Sequence, residues 1–217
     1  MFETKRPNGP LFRLGRRPDP WEPPDWSRAQ PDGTFGNRFD DPNANYRVLY
    51  AASQRVSCFV ETLARFRPDL SLLAELQAIE GEDDYTPLGI IPKDWCTERM
   101  MGECRAEGDY ADIYAAGWLG YLRQQLASYC LALGITELDV SVLQQGEPRR
   151  LTQLASLKVN EAGLDGISYR SRYGHNLENW ALFEPFKIYA RQPTTPVEPT
   201  DTDLEKACSI LGLQIEQ

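Results

Sequence analysis

The run YRVLYAASQRVSCFVETLARFRP, residues 46 to 68, changes its hydrophobic period part-way along, and that change constrains the chain more than any other feature. RVLYAA is a short continuous apolar block, the pattern of a buried strand. From Arg55 onward Val56, Phe59, Val60 and Leu63 recur at i, i+3, i+4 and i+7, the spacing of one helix face. A strand is therefore predicted to run almost directly into a helix, with Ser53 as its N-cap and Pro68 as its stop. At about 100° per residue, Glu61 falls off the apolar stripe of that helix. An unburied carboxylate in the middle of that helix needs an explanation.

The rest of the chain supplies the surroundings. LFRLG reads as a short strand, and the proline-rich RRPDPWEPPDW as an extended segment on the surface with its tryptophans as anchors. Residues 31 to 45, PDGTFGNRFDDPNAN, are dense in turn formers, so Arg38 and Phe39 are placed on a loop or brief strand. LSLLAELQAI reads as a helix and PLGIIP as a short strand. Residues 111 to 133 form the longest helical pattern, in which Gly117 and Gly120 mark a tight packing point or a break. DVSVL is read as a strand and RRLTQLASLKVNEAG as a helix ended by Gly163. GISYRS, NWALFEP and the strand FKIYA follow; QPTTPVEPTDTD is linker-like and LEKACSILG a short amphipathic helix. Residues 1–192 thus read as a single domain with a proline-rich start over 1–30, and 193–217 as linker and terminal helix. Strands and helices do not alternate regularly, which favours an α+β fold over a doubly wound sheet.

Composition excludes several classes of function. The 217 residues carry a net charge of -9, which disfavours sequence-independent nucleic-acid binding. The charge is uneven: residues 80 to 112 hold ten acids against three bases, whereas residues 13 to 67 hold nine arginines against seven acids. The neighbourhood of the opening run therefore tolerates an anionic ligand. Five cysteines with no CxxC pair argue against zinc and against a secreted disulfide framework. No stretch approaches the roughly 18 apolar residues of a membrane span, and MFETKRPNGP has no apolar core after its charges, so a cytoplasmic location is expected. His175 is the only histidine, which removes two-histidine metal chemistry, and its place after Gly174 suits a surface loop. GxSxG, GxxxxGK[ST] and GxGxxG are all absent.

Several ordered blocks carry a resemblance. NRFDDP, YRVLYAAS and CFVETLARF, followed by LTQLASLKVNEAGLDGISYRSRYG and NWALFEP, resemble the RES domain family, over a span from about LFRLG to FKIYA. The resemblance implies an ADP-ribosyltransferase-like fold of split mixed or antiparallel sheets with flanking helices. It also implies a toxin that consumes NAD as substrate without a separate cofactor or metal, often paired with a helix-turn-helix antitoxin. Residue by residue it assigns the family arginine to Arg38, the tyrosine to Tyr50, the glutamate to Glu61 and the serine to Ser171, with Asn176 as a further pocket residue. The chain departs from the family where NRFD replaces the more usual glycine-arginine-tryptophan-asparagine block. The proline-rich start and the acidic 80–112 segment read as elaborations on the family.

The residue types suit that chemistry. Cleavage between nicotinamide and ribose passes through an oxocarbenium-like state that a carboxylate such as Glu61 stabilises. Nicotinamide leaves as a neutral base, so no histidine acid is needed. Arg38 offers a planar fork for pyrophosphate, Tyr50 a ring to pack nicotinamide, and Ser171 a hydroxyl to orient the amide or ribose. Each has a plainer counterpart. Glu61 and Arg65 stand at i and i+4 as a surface pair, Arg38 is close to Asp40 and Asp41, Tyr50 suits a half-buried strand, and Ser171 and Asn176 suit turns. Three functions follow: NAD glycohydrolase or phosphorylase, mono-ADP-ribosyltransferase acting on a protein, or a silent RES domain acting as an interaction module. The acceptor, and any homo-oligomer, are left open by the sequence.

Overall fold

A computed structural model describes residues 2–71, 73–74 and 89–216. In chain order the strands are β1 (Thr4–Lys5), β2 (Leu11–Arg16), β3 (Val48–Ala52), β4 (Gly89–Ile91), β5 (Arg99–Ala106), β6 (Tyr110–Asp112), β7 (Gly166–Ser171), β8 (Gly174–Phe183), β9 (Ile188–Tyr189), β10 (Thr195–Pro196) and β11 (Leu213–Ile215). The helices are α1 (Arg55–Leu63), α2 (Asp94–Thr97), α3 (Ala116–Ala132), α4 (Val140–Gln145), α5 (Arg149–Glu161) and α6 (Thr202–Leu211). The class is α+β, as expected: a mixed main sheet with flanking helices.

The main sheet runs β1-β6-β7-β8-β3-β2-β5-β10, with β9 also on β5, and β4 and β11 form a small parallel pair. Among the described residues only β6–β7 is parallel within the main sheet. Its weak point is the junction of β2 and β3, which share one register pair, Phe12 with Ala52. By contrast β3 pairs with β8 along its whole length, Val48 to Ala52 against Phe183 to Asn179. The sheet is thus nearly split, and the wedge is bridged by Arg13, whose Nη1 donates to the Tyr50 carbonyl at 2.7 Å.

Strand alternation sorts the side chains onto two faces. Val48, Tyr50 and Ala52 share a face with Phe183, Ala181 and Asn179, and through β7 with Ile167 and Tyr169. The helices cover this face. Trp118 and Leu122 of α3, Leu143 of α4 and Leu151, Ala155 and Val159 of α5 bury against its β6–β8 half. Phe59, Val60 and Leu63 of α1 pack with Leu204, Ala207 and Leu211 of α6 over the other half. Each large apolar side chain so buried contributes about 1.5–3 kcal/mol. The opposite face, with Leu49, Ala51, Trp180 and Leu182, is covered by Trp21 of the proline-rich segment and by Phe186 and Ile188.

Several local expectations change. Ser53 does not cap α1: its hydroxyl donates to Glu178 at 2.8 Å and accepts from Trp180 Nε1 at 2.9 Å, so β8 claims it and Gln54 takes the N-cap position. The helix ends at Leu63, before Pro68, and tightens into a 3-10 turn over Ala64–Phe66. DVSVL is helical, because the Asp139 carboxylate accepts from Val142 N at 3.0 Å as an N-cap and Gly146 closes the helix at φ 72°. Residues 110–112 form β6, so the long helix begins only at Ala116, and Gly117 and Gly120 lie within it without a break.

The described part of the acidic segment is no peripheral elaboration. It contains β5, which pairs with six residues of β2, carries β9 and β10 on its other side, and buries Met100, Met101, Cys104 and Ala106. Of the two tryptophans, Trp21 is the anchor, at 3% exposure, whereas Trp26 is 39% exposed and lies beside Phe35. The helix read over LSLLAELQAI falls mostly outside the described residues. In the linker-like tract β10 adds to β5 and Val197 is buried. All five cysteines are buried and unpaired.

Candidate active site

The loop bearing Arg38 has no regular structure, so its shape comes from side chains. Buried Asp40 accepts from Phe35 N at 2.9 Å and Asn37 N at 2.8 Å through one oxygen, while the other accepts from the Tyr50 hydroxyl at 3.2 Å. Asp41 accepts from Asn43 N at 3.0 Å and also from Asn45 N. Helix α5 clamps the same loop: Gln153 Nε2 donates to the Asn37 carbonyl at 3.2 Å and Ser156 Oγ to the Phe39 carbonyl at 2.7 Å. The two aspartates following Arg38 are therefore loop organisers, and neither pairs with it. Burial pushes the Asp40 carboxyl above its ordinary range against the pull of these donors.

Arg38 is half-buried, its guanidinium 5.1 Å from the Phe39 ring centroid and 5.2 Å from that of Tyr169. Nη2 donates to the Tyr114 hydroxyl at 3.0 Å and to the Leu143 carbonyl. The α4 stretch misread as a strand thus supplies one of the supports of this arginine. Nε is buried without a partner among the described residues.

Tyr50 also works inward. Its hydroxyl accepts from Phe39 N at 2.8 Å and donates to Asp40, so its polar end holds the loop while its ring lines the cavity. Burial, then the Asp40 charge, push its phenol well above the ordinary value.

Glu61 is exposed on α1, off the buried stripe of Phe59, Val60 and Leu63. Its partner is Asn179, not Arg65: Asn179 Nδ2 donates to Glu61 Oε1 at 3.1 Å, and Ser57 Oγ donates to Asn179 Oδ1 at 2.7 Å. Arg65 instead lies over the Phe66 ring at 4.8 Å. Ser57 and Asn179 are buried, so the carboxylate is oriented by a fixed relay.

Arg38, Tyr50 and Glu61 line one cavity of about 490 Å³. A smaller space of about 110 Å³ in the β2–β3 wedge shares Tyr50, Glu61 and Tyr169 and adds Arg13 and Asn179. Arg65, Arg149 and Arg172 also line the larger cavity, so Glu61 is its only acid among the described residues. Arg149 pairs with Glu147 at 3.1 Å.

Ser171 and Asn176 are placed differently. Ser171 is fully buried at the end of β7, its hydroxyl accepting from Tyr173 N at 3.1 Å and its carbonyl from Gln144 Nε2 at 3.1 Å. It shapes the turn that carries Arg172 and Tyr173 to the cavity. Asn176 is exposed, its carbonyl accepting from Gln54 Nε2 at 3.3 Å, and it lines a neighbouring cavity with Val56, Leu177 and Ile210.

Sequence reasoning missed Asn179 and Tyr169. The signal for Asn179 was a lone amide among Leu177, Ala181 and Phe183, the apolar residues of one strand face.

The chain matches the RES domain family over residues 10–203. It belongs to that family. The RES domain therefore takes in every candidate residue described above. Its fold is similar to that of a chain in the crystal structure of the M. tuberculosis MbcT–MbcA toxin–antitoxin complex, at TM-score 0.50 and 12% identity, covering 90% of this chain and 87% of that one. None of the curated proteins matches the chain. Among the described residues of this RES domain, no helix is long and apolar enough to cross a membrane.

Proposed function

We propose that this RES domain protein is the toxin of a toxin–antitoxin pair and consumes NAD in the cytoplasm by cleaving the bond between nicotinamide and ribose. The observation that carries the reading is the single carboxylate, Glu61, held by Asn179 in a cavity whose lining includes three tyrosines and four arginines.

The chemistry follows from charge. In NAD the nicotinamide nitrogen is cationic and the pyrophosphate anionic. As the N–C1′ bond breaks, its electron pair stays on nicotinamide, which leaves neutral, and positive charge develops on the ribose. Glu61 stabilises that charge and accepts a hydrogen bond from a ribose hydroxyl. Arg38 and its neighbouring arginines hold the pyrophosphate, for which guanidinium forks are geometrically suited. The Tyr50 ring packs the nicotinamide. The acceptor then attacks C1′: water losing a proton, or phosphate forming a C–O bond. Ser171 acts through the turn it closes. Similarity to a chain of a toxin–antitoxin complex supports an antitoxin partner, for which the family resemblance suggests a helix-turn-helix protein.

The test is nicotinamide release from NAD by the purified protein in water, with added phosphate, and with candidate acceptor proteins. Release is expected, and the arm that accelerates it names the acceptor. Absence of release in every arm sinks the proposal, whereas label transferred to a protein moves it to ADP-ribosylation.

A further inference from the structure

Three tyrosines line the main cavity, and their hydroxyls are not equivalent. That of Tyr50 is committed to Phe39 N and Asp40, and that of Tyr173 accepts from Arg172 Nη2 at 2.7 Å. Behind them, the Tyr114 hydroxyl accepts from Arg38 and donates to the Arg170 carbonyl at 3.4 Å. Tyr169 differs: its hydroxyl makes no hydrogen bond among the described residues, although only 6% of the residue is exposed. The hydroxyl is therefore uncommitted within the protein and free to donate to a ligand oxygen in the cavities it lines.

Position tells which part of a ligand that is. Tyr169 stands directly opposite Asn179 in the β7–β8 ladder, and Asn179 holds Glu61. Tyr169 also lines both cavities, the wedge and the main one, which meet at Glu61 and Tyr50. Its ring is fixed edge-on to Phe39 at 5.0 Å between centroids and carries the Arg38 guanidinium. After burial, the nearby Glu61 charge is the next influence raising its phenol, so it stays protonated and able to donate.

We propose that Tyr169, and not Tyr50, supplies the substrate-contacting hydroxyl of this site, donating to an oxygen of the ribose that faces Glu61 while its ring carries Arg38. The assignment rests on the NAD reading above and adds a residue to it. The Tyr50 hydroxyl has a positioning role, setting the Arg38 loop, while its ring keeps its place against the nicotinamide.

The two phenylalanine variants separate these roles. Tyr169→Phe keeps the ring, so its melting temperature should match the wild type, while kcat/KM for nicotinamide release falls about 10-fold or more and NAD binding by calorimetry weakens. Tyr50→Phe removes two bonds inside the protein and should lower the melting temperature. A Tyr169→Phe variant with wild-type kcat/KM and NAD affinity overturns the assignment and leaves the NAD reading intact. A wild-type protein that neither binds NAD nor releases nicotinamide overturns both.

Discussion

Asn179 donates from Nδ2 to Oε1 of Glu61 at 3.1 Å and accepts at Oδ1 from Ser57 at 2.7 Å. A carboxylate only accepts, so the amide nitrogen must face Glu61, and the Ser57 proton must then point at the amide oxygen. The polar chain runs in one direction, from Ser57 on α1 through Asn179 on β8 back to Glu61 on α1, and it ends at the cavity.

Replacing Asn179 with alanine should leave Glu61 in the cavity without its orientation. Nicotinamide release should lose about 10- to 100-fold in kcat with little change in KM. The buried Ser57 hydroxyl, stripped of its partner, should cost about 1–3 kcal/mol in denaturant unfolding. A loss confined to KM would contradict the relay.

The Asp40 carboxyl gives a pH signature. Burial raises its folded pKa above the unfolded value, so the native state holds this proton more tightly. Its contribution to stability is then greatest below the unfolded pKa, about 4, and declines as pH rises through the raised folded value. Measured against Asp40→Asn, which does not titrate, the wild-type protein should lose relative stability as pH is raised from about 4. A relative gain over that range would contradict the burial argument.

Gly146 tests how the helix α4 cap supports Arg38. At φ 72° it adopts a left-handed conformation, and an added Cβ would lie 3.3 Å from Arg38 Nε and 3.3 Å from Arg149 Nη1. Gly146→Ala should cost about 1–2 kcal/mol in backbone strain and also raise KM for NAD by pushing on two cavity arginines. Unchanged KM would show that the arginines relax freely.

What was legible in the sequence was what repeats or spaces regularly. The strand-to-helix change at Arg47–Leu63, the α5 helix with Gly163 after it and the ordered RES blocks lie where periodicity and spacing place them. The reading failed where one side chain overrode pattern: Asp139 turned an alternating run into a helix, and Ser53 gave its hydroxyl to β8 instead of capping α1. Strand β5 was hidden because RMMGECRA has few β-branched residues and sits in acidic sequence, although its pairing with β2 buries it. In the site, Arg38, Tyr50 and Glu61 meet at one cavity, but spacing carries no information on which hydroxyl is already committed. That depended on a loop wound around Asp40 and Asp41, contacts that only the fold creates.

The most direct measurement is single-turnover nicotinamide release by Glu61→Gln beside the wild type, with NAD affinity determined for both. Glutamine keeps the shape and an oxygen to accept from Asn179, but removes the charge facing the ribosyl cation. The account predicts a rate at least about 100-fold lower with NAD affinity changed by less than about fivefold. A Glu61→Gln protein that releases nicotinamide at the wild-type rate would contradict it.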